Sequence, residues 1–190
     1  MGIRTSTVDR ALALTCRVHT EPHGDDHTIA YTLHFAVSAP RTARVGREFE
    51  IVLAPAPITF SAKLSSGIDD IALCFRIPTH ARVVRHTLTG GEALGEAPPY
   101  TEVLPGGRLV LRAPGPFRPE VQFTLPALSW RVRAGGSGPV ETGLAGTDFA
   151  DPAWSYRWAR AADAVGGDVT GFPDPVVDPS GTLVRTVPTL

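Results

Sequence analysis

The chain contains no asparagine, and it has one lysine, Lys63, one methionine and two cysteines. Without asparagine it offers no acceptor for N-glycosylation. Its 18 basic residues are balanced by 19 acidic ones, so the positive excess of an electrostatic nucleic-acid binder is missing. The apolar runs fall short of the ~18–20 residues that a membrane-spanning helix needs. The sequence therefore predicts no nucleic-acid partner and no membrane span.

The first ten residues lack the apolar stretch of about 7–15 residues that a secretory signal requires. We therefore expect a cytoplasmic protein, or a secreted one if a signal peptide has been removed. Residues 1–9 are expected to be flexible. In a cytoplasmic chain, Cys16 and Cys74 are predicted to be reduced and buried, a disulfide being the alternative.

The composition, with 43% hydrophobic and 19% charged residues over 190 positions, is typical of one globular domain. Residues 28–38 alternate apolar and polar side chains, which predicts a half-buried strand. Gly and Pro separate similar short segments every 8–12 residues, and no convincing helical periodicity is present. The predicted strands are 10–18, 28–38, 48–54, 70–77, 80–89, 108–112, 121–125, 128–132, 140–144, 154–159 and 182–187. Residues 10–190 are thus expected to form one all-β domain of about ten short strands, an antiparallel (Ig-like) β-sandwich or a barrel-like sandwich.

Several turn-rich stretches occur in an order that resembles a known family. They are Thr42-Ala-Arg-Val-Gly-Arg-Glu-Phe49, Ile77-Pro-Thr-His80, Thr87-Leu-Thr-Gly-Gly91, Gly106-Gly-Arg-Leu-Val-Leu111, Pro114-Gly-Pro116, Leu125-Pro-Ala-Leu128 and Gly146-Thr-Asp-Phe-Ala-Asp-Pro152. Together they make residues 10–188 similar to an actinobacterial, mostly secreted β-sandwich family, some of whose members are labelled cyclase or dehydratase. The resemblance implies one β-sandwich. The family's signal peptide and its late cysteine are both missing here, which implies a cytoplasmic member without the family's disulfide.

Asp148 and Asp151 are the first candidates for chemistry. Two carboxylates three residues apart could form an acid/base pair if burial raised the pKa of one of them. The alternative is a turn before Pro152, in which an Asp side chain accepts hydrogen bonds from nearby backbone amides.

The segment Trp154–Ala159 places three aromatic side chains, Trp154, Tyr156 and Trp158, on one face of a strand. Such a stripe either belongs to the core or lines an apolar ligand cavity. Trp130 is expected to face the same interior. We predict a substrate-binding cavity lined by these four residues beside the Asp148–Asp151 turn.

The remaining candidates are single residues. His34, on the polar face of its strand, and Tyr31, on the apolar face, could move a proton or donate a hydrogen bond. His86 also lies on a predicted strand and is interpreted as a hydrogen-bonded histidine. His19, His23 and His27 have a spacing that suits metal ligands on a helix, but Pro22 and Gly24 predict a solvated loop instead. No metal and no cofactor is expected.

Three functions remain open from the sequence. One is a cofactor-independent cyclase or dehydratase that folds an apolar, polyketide-like intermediate of bacterial natural-product biosynthesis, with Asp148, Asp151, His34 and Tyr31 as catalytic candidates. Another is a non-catalytic binding or cell-envelope protein. The last is an assembly subunit that forms a homo-oligomer through edge strands.

Overall fold

The structure of the protein is a computed structural model that describes residues 5–162 and 164–190. These residues form strands and connecting turns and contain no helix. The strands are β1 (Thr5–Glu21), β2 (Asp25–Pro40), β3 (Thr42–Arg44), β4 (Glu48–Pro55), β5 (Gly67–Arg76), β6 (Ala81–Thr89), β7 (Tyr100–Leu104), β8 (Arg108–Ala113), β9 (Ala127–Ala134), β10 (Val140–Gly143), β11 (Trp154–Arg160), β12 (Val165–Pro173) and β13 (Thr182–Thr189).

Ten of the strands form one antiparallel sheet in the order β6-β9-β4-β2-β1-β12-β11-β5-β8-β7. The sheet curls until its two end strands approach each other, and His86 on β6 contacts Thr101 on β7 through Nε2 and Oγ1, 3.1 Å apart. A small sheet, β10-β13-β3, packs beside it and includes one parallel pair, β13 with β3. The all-β prediction is confirmed: the chain forms a nearly closed, barrel-like sandwich.

The interior is filled by the apolar side chains of alternating positions. Strands with period two place every second residue on the inner face, where burial of apolar surface stabilises the fold by ~25 cal/mol per Å². Leu73 and Phe75 of β5, Leu111 of β8 and Leu53 of β4 are completely buried. The sequence pattern of residues 70–77 is therefore realised as a strand whose odd positions point inward.

The first two strands form a longer hairpin than the sequence predicts. β1 begins at Thr5 rather than at Arg10, because residues 5–9 pair with residues 36–40 of β2. The two strands also continue through the expected 19–27 loop, and only residues 22–24 form the turn. Gly24 makes this turn possible with φ of +71°, a value that side chains rarely tolerate.

Strand β12 has no counterpart among the predicted strands, although it lies between β1 and β11. Its sequence, Val165–Pro173, contains three glycines and one aspartate, so it lacks an alternating apolar pattern. The glycines are required by close packing of neighbouring strands. A Cβ on Gly167 would lie 1.9 Å from the His19 carbonyl oxygen, and one on Gly171 would lie 2.4 Å from Cys16 Sγ.

Two smaller differences separate the predicted strands from the observed ones. Residues 121–125 are not a strand, because only Phe123 and Thr124 form isolated bridges, to Ile58 and Glu92. β7 and β3 lie in segments without predicted strands.

Candidate functional site

Tyr31, Trp154 and Tyr156 form an aromatic cluster inside the barrel. The rings of Tyr31 and Trp154 stack with centroids 6.4 Å apart, and Tyr156 meets Trp154 edge-on at 5.6 Å. Trp154 is only 3% exposed and belongs to the main core together with Cys16 and Val169. Trp154 is therefore part of the core. The sequence allowed either this role or a place in the wall of a cavity.

The two phenols of this cluster and the neighbouring thiol of Cys16 are held in their neutral forms. Burial raises the pKa of the Cys16 thiol to about 11. Burial also raises the pKa of Tyr31 and of Tyr156, and the neighbouring Cys16 adds to the shift of both phenols. A neutral thiol and neutral phenols can donate hydrogen bonds, but they are poor proton acceptors near neutral pH.

The other two tryptophans also face inward, and each leaves a polar atom unpaired. Trp130 on β9 is 1% exposed and lies against His86, with ring centroids 5.6 Å apart. Trp158 on β11 is half-buried and packs against the same core. The indole Nε1 atoms of both are buried, and neither has a hydrogen-bond partner among the described residues.

The candidate catalytic residues do not meet in one place. His34 is exposed, on the outer face of β2, whereas Tyr31 is partly buried and packs against the core on the inner face. Asp148 shapes a turn, because its Oδ1 accepts hydrogen bonds from the backbone N–H groups of Ala150 (2.8 Å) and Asp151 (2.9 Å). Asp151 forms an ion pair with Arg108, and its side chain is 41% exposed. Asp151 is therefore not the buried carboxyl that an acid/base pair requires.

The Asp148–Asp151 turn and the aromatic cluster lie on opposite faces of the sheet, so the structure does not bring them together. Trp154 is opposite Leu73 of β5 and points inward with it. The next residue of β5, Cys74, points outward and lies under the loop 145–153. Backbone hydrogen bonds from Ala145 N–H to the Cys74 carbonyl and from Cys74 N–H to the Ala153 carbonyl fix the loop there.

The outer face carries an open cleft of about 540 Å³ between loop 145–153 and the proline-rich loop 174–180. The strand ends of β5, β8 and β12 form its base. It is lined by Arg76, Gly106, Arg108, Leu144, Ala145, Gly146, Thr147, Asp151, Phe172, Pro173, Pro175, Pro179 and Ser180. The lining therefore combines two guanidinium groups and one carboxylate with an apolar, rigid wall of prolines.

Both loops that border the cleft are fixed by local hydrogen bonds. Gly146 adopts φ of +123°, and a Cβ there would lie 2.4 Å from the Ala153 backbone nitrogen, so the tight loop requires glycine. Asp174 accepts hydrogen bonds from the N–H groups of Val177 and Val176, which lower the pKa of its carboxyl. The cleft is thus bordered by ordered walls on both sides.

Arg76 and Arg108 are the central pair of this cleft. They are directly opposite each other on the antiparallel strands β5 and β8, which brings their Cβ atoms within about 4.5–5.5 Å. Arg76 Nη2 donates hydrogen bonds to the Ser180 carbonyl (2.7 Å) and to Thr182 Oγ1 (3.1 Å). Arg108 pairs with Asp151. Like charges directly opposite destabilise a sheet, and Asp151 is the one carboxylate in the lining that offsets them.

Sequence reasoning did not identify this pair. The strands that carry both residues were predicted, but the register between β5 and β8 was not, and only that register places Arg76 opposite Arg108. In the sequence, Arg76 and Arg108 each stand at one end of an apolar strand. That position is also typical of an arginine at a solvated strand end.

Neither a metal centre nor a helical membrane span is found in the described residues. No group of three or more His, Cys, Asp or Glu side chains within residues 5–162 and 164–190 could hold a metal ion. In the 19–27 segment, His19 Nδ1 lies 2.8 Å from Asp26 Oδ1 across the hairpin. No helix in the same residues is long and apolar enough to cross a membrane.

Comparison with known proteins supports the fold. No family model and no curated protein matches the chain. A similar crystal structure is that of a protein from Corynebacterium diphtheriae described as "Putative membrane anchored protein", with a TM-score of 0.58 and 12% sequence identity. The match covers 96% of this chain but only 38% of that protein's chain. At this identity the likeness shows a shared fold.

Proposed function

We propose that the protein is a non-catalytic binding module of the cell envelope and that its Arg76–Arg108 cleft receives an anionic group of its ligand. The observation that carries the proposal is the charge of the cleft: its lining holds two guanidinium groups, from residues directly opposite each other on β5 and β8, and one carboxylate. A bound carboxylate or phosphate would lie between the two arginines and relieve their repulsion. Guanidinium groups suit this task because they offer planar, paired donors to such oxygens.

The aromatic contacts on the inner face favour binding over catalysis. A cyclase for an apolar intermediate needs an enclosed space in which the substrate can fold. Tyr31 and Trp154 stack where such a space was expected, and Phe35 and Phe75 fill the adjoining interior. The cyclase or dehydratase hypothesis and the resemblance to the actinobacterial family stay predictions from the sequence.

An envelope location draws support from the structural neighbour, which is described as membrane anchored and which this chain matches over 38% of its length. Fractionation of cells that produce the protein would test this part. We expect the protein in the envelope fraction and its cleavage by protease added to intact cells. Recovery in the cytosol, protected from protease, would instead support the cytoplasmic prediction.

The cleft itself can be tested by NMR titration of 15N-labelled protein at constant ionic strength, with sodium acetate in one series and inorganic phosphate in another. We expect saturable shifts of amide signals along the cleft, such as those of Gly106, Thr147 and Ser180. The tighter of the two anions identifies the group. Since a hydrogen bond to a charged group contributes about 1.5–3 kcal/mol, Arg76→Gln should weaken binding about tenfold or more.

Arg157→Gln is the matched control, because Arg157 is a 72% exposed arginine of β11 and is not part of the cleft lining. It should bind both anions as the unmodified protein does. Equal losses of anion affinity in Arg76→Gln and Arg157→Gln would mean that general surface charge, and not the cleft, attracts the anions. Absence of saturable shifts with either anion would refute the anion-binding cleft.

A further inference from the structure

The two halves of β1 differ in their pairing. Residues 14–20 lie between two strands, β2 and β12. Residues 5–13 pair with β2 on one side, and no strand of the described residues pairs with their other side. All the side chains from Thr5 to Ala11 are exposed. This half of β1 is therefore an open strand edge, which we call the β1 edge.

The hydrogen-bonding direction of the β1 edge follows from its last residue. Ala13 donates its N–H to Asp178 Oδ2 (2.7 Å) and accepts at its carbonyl from Asp174 N–H (2.9 Å), so both groups point away from β2. The pairing with β2 runs without a register shift, and direction alternates along a strand. Thr5, Thr7, Asp9 and Ala11 consequently point their N–H and C=O groups outward, the ordinary template for adding another strand.

The β1 edge lacks several of the features that protect open edges, and its charged side chains are Asp9 and Arg10. Proline, lysine and bulges are the usual means of blocking a further strand, and residues 5–11 contain none of them. Its one large apolar side chain, Val8, is 42% exposed. The loop that holds Ala13 blocks any further strand beyond that residue, so an added strand is confined to residues 5–11.

We propose that two copies of the chain pair antiparallel through their β1 edges, with Val8 facing Val8 of the second copy. In one continuous sheet, the side chains of two directly opposite residues lie on the same face of the sheet. The twofold axis of the dimer must therefore pass between two copies of the same residue. Centring on Val8 pairs all four outward-pointing residues, because Thr7 faces Asp9 and Thr5 faces Ala11. These pairs supply about eight interchain hydrogen bonds, two for each hydrogen-bonded pair.

Charge selects the same register. Centring on Asp9 would place two aspartates directly opposite each other, which is destabilising. With Val8 at the centre, the Asp9 carboxylate faces a Thr7 hydroxyl, Arg10 faces Ser6, and the two valines cover each other. The edge is therefore self-complementary, which favours a second copy over an unrelated extended peptide as its occupant.

Cysteine trapping tests the register. In this dimer the two Val8 residues form a non-hydrogen-bonded pair, whose Cα atoms are about 4.5 Å apart and within disulfide range. Val8→Cys should therefore be trapped as a covalent dimer by mild oxidation. Thr7→Cys is the control, since the two copies of residue 7 are offset and lie about 8 Å apart, beyond disulfide range. The native Cys16 and Cys74 are buried and do not interfere.

A second variant separates pairing from random collision. Thr7→Pro removes an outward N–H that β2 does not use, so the monomer should fold normally, as circular dichroism would verify. Combined with Val8→Cys, it should reduce trapping about tenfold or more to the level of Thr7→Cys. Sedimentation velocity should also show concentration-dependent dimers of the unmodified protein that Thr7→Pro abolishes. Equal trapping of Val8→Cys and Thr7→Cys, or trapping unaffected by Thr7→Pro, would overturn the proposal, as would a protein that stays monomeric.

Discussion

The two faces of the sheet around β5, where β11 and β8 flank it, serve opposite purposes. On the inner face, Trp154 is enclosed by the aromatic and aliphatic core. On the outer face, Arg76 and Arg108 keep their charges at the border of an open cleft. Alternation along the strands produces both environments within a few residues. The inner face determines stability and the outer face offers the chemistry of recognition, so mutations on the two faces should have separable effects.

Removal of an aromatic ring from the inner face should have the largest effect on stability. Trp154→Ala leaves a cavity where a 3% exposed indole was packed against Tyr31 and Tyr156, so we expect a loss of about 3–5 kcal/mol in the free energy of unfolding. Urea denaturation measures it. Trp158→Ala, at a half-buried position of the same strand, should cost clearly less. A loss below about 1 kcal/mol for Trp154→Ala would place this ring beside open space rather than in the core.

A side chain added to β12, where the strands are closely packed, should have the next largest effect on stability. In Gly167→Ala the new Cβ would meet the His19 carbonyl oxygen of β1 at 1.9 Å, so the strands must move apart. We expect a loss of about 1–3 kcal/mol in the free energy of unfolding. Gly67→Ala is the matched control, because the nearest atom to its Cβ is 3.8 Å away. Equal stability of the two variants would show that β1 and β12 are not packed this closely.

These glycines also show why part of the fold could be predicted from the sequence and part could not. Strands such as β2 and β4 bury one face, so selection for apolar residues leaves a period-two pattern. β12 is held by close backbone approach instead, which requires glycine and removes the pattern. The cleft was missed for another reason: Arg76 and Arg108 are 32 residues apart in sequence, and only the strand register brings them together. The aromatic residues of β11 were found because alternation alone places them on one face.

The thiol of Cys16 should make the stability of the inner face depend on alkaline pH. It ionises near pH 9.0 at its ordinary pKa and near 11 in the folded protein. The unfolded chain therefore loses this proton first, and stability that is complete below pH 9 is lost as the pH rises towards 11. Cys16→Ala should flatten this decline in unfolding measurements across that range. An unchanged slope in Cys16→Ala would contradict the role of this thiol, although Tyr31 and Tyr156 should still lower stability at higher pH.

The smallest change in stability is expected on the outer face, where Asp151→Asn should nevertheless alter ligand binding. The Arg108–Asp151 pair is partly exposed, with 29% and 41% of the two side chains accessible, so its loss should change the free energy of unfolding by less than about 1 kcal/mol. Asp151 occupies the guanidinium group that a bound anion would use. Its neutralisation should therefore strengthen acetate or phosphate binding in the NMR titration, opposite to the loss expected for Arg76→Gln. Asp148→Asn is the control, because Asp148 bonds only to the loop backbone in the described structure. Weaker anion binding in Asp151→Asn would instead show that this carboxylate positions Arg108 for the ligand. The two opposed arginines would then form a pre-arranged clamp, and Asp151 would not be a group that shields the site.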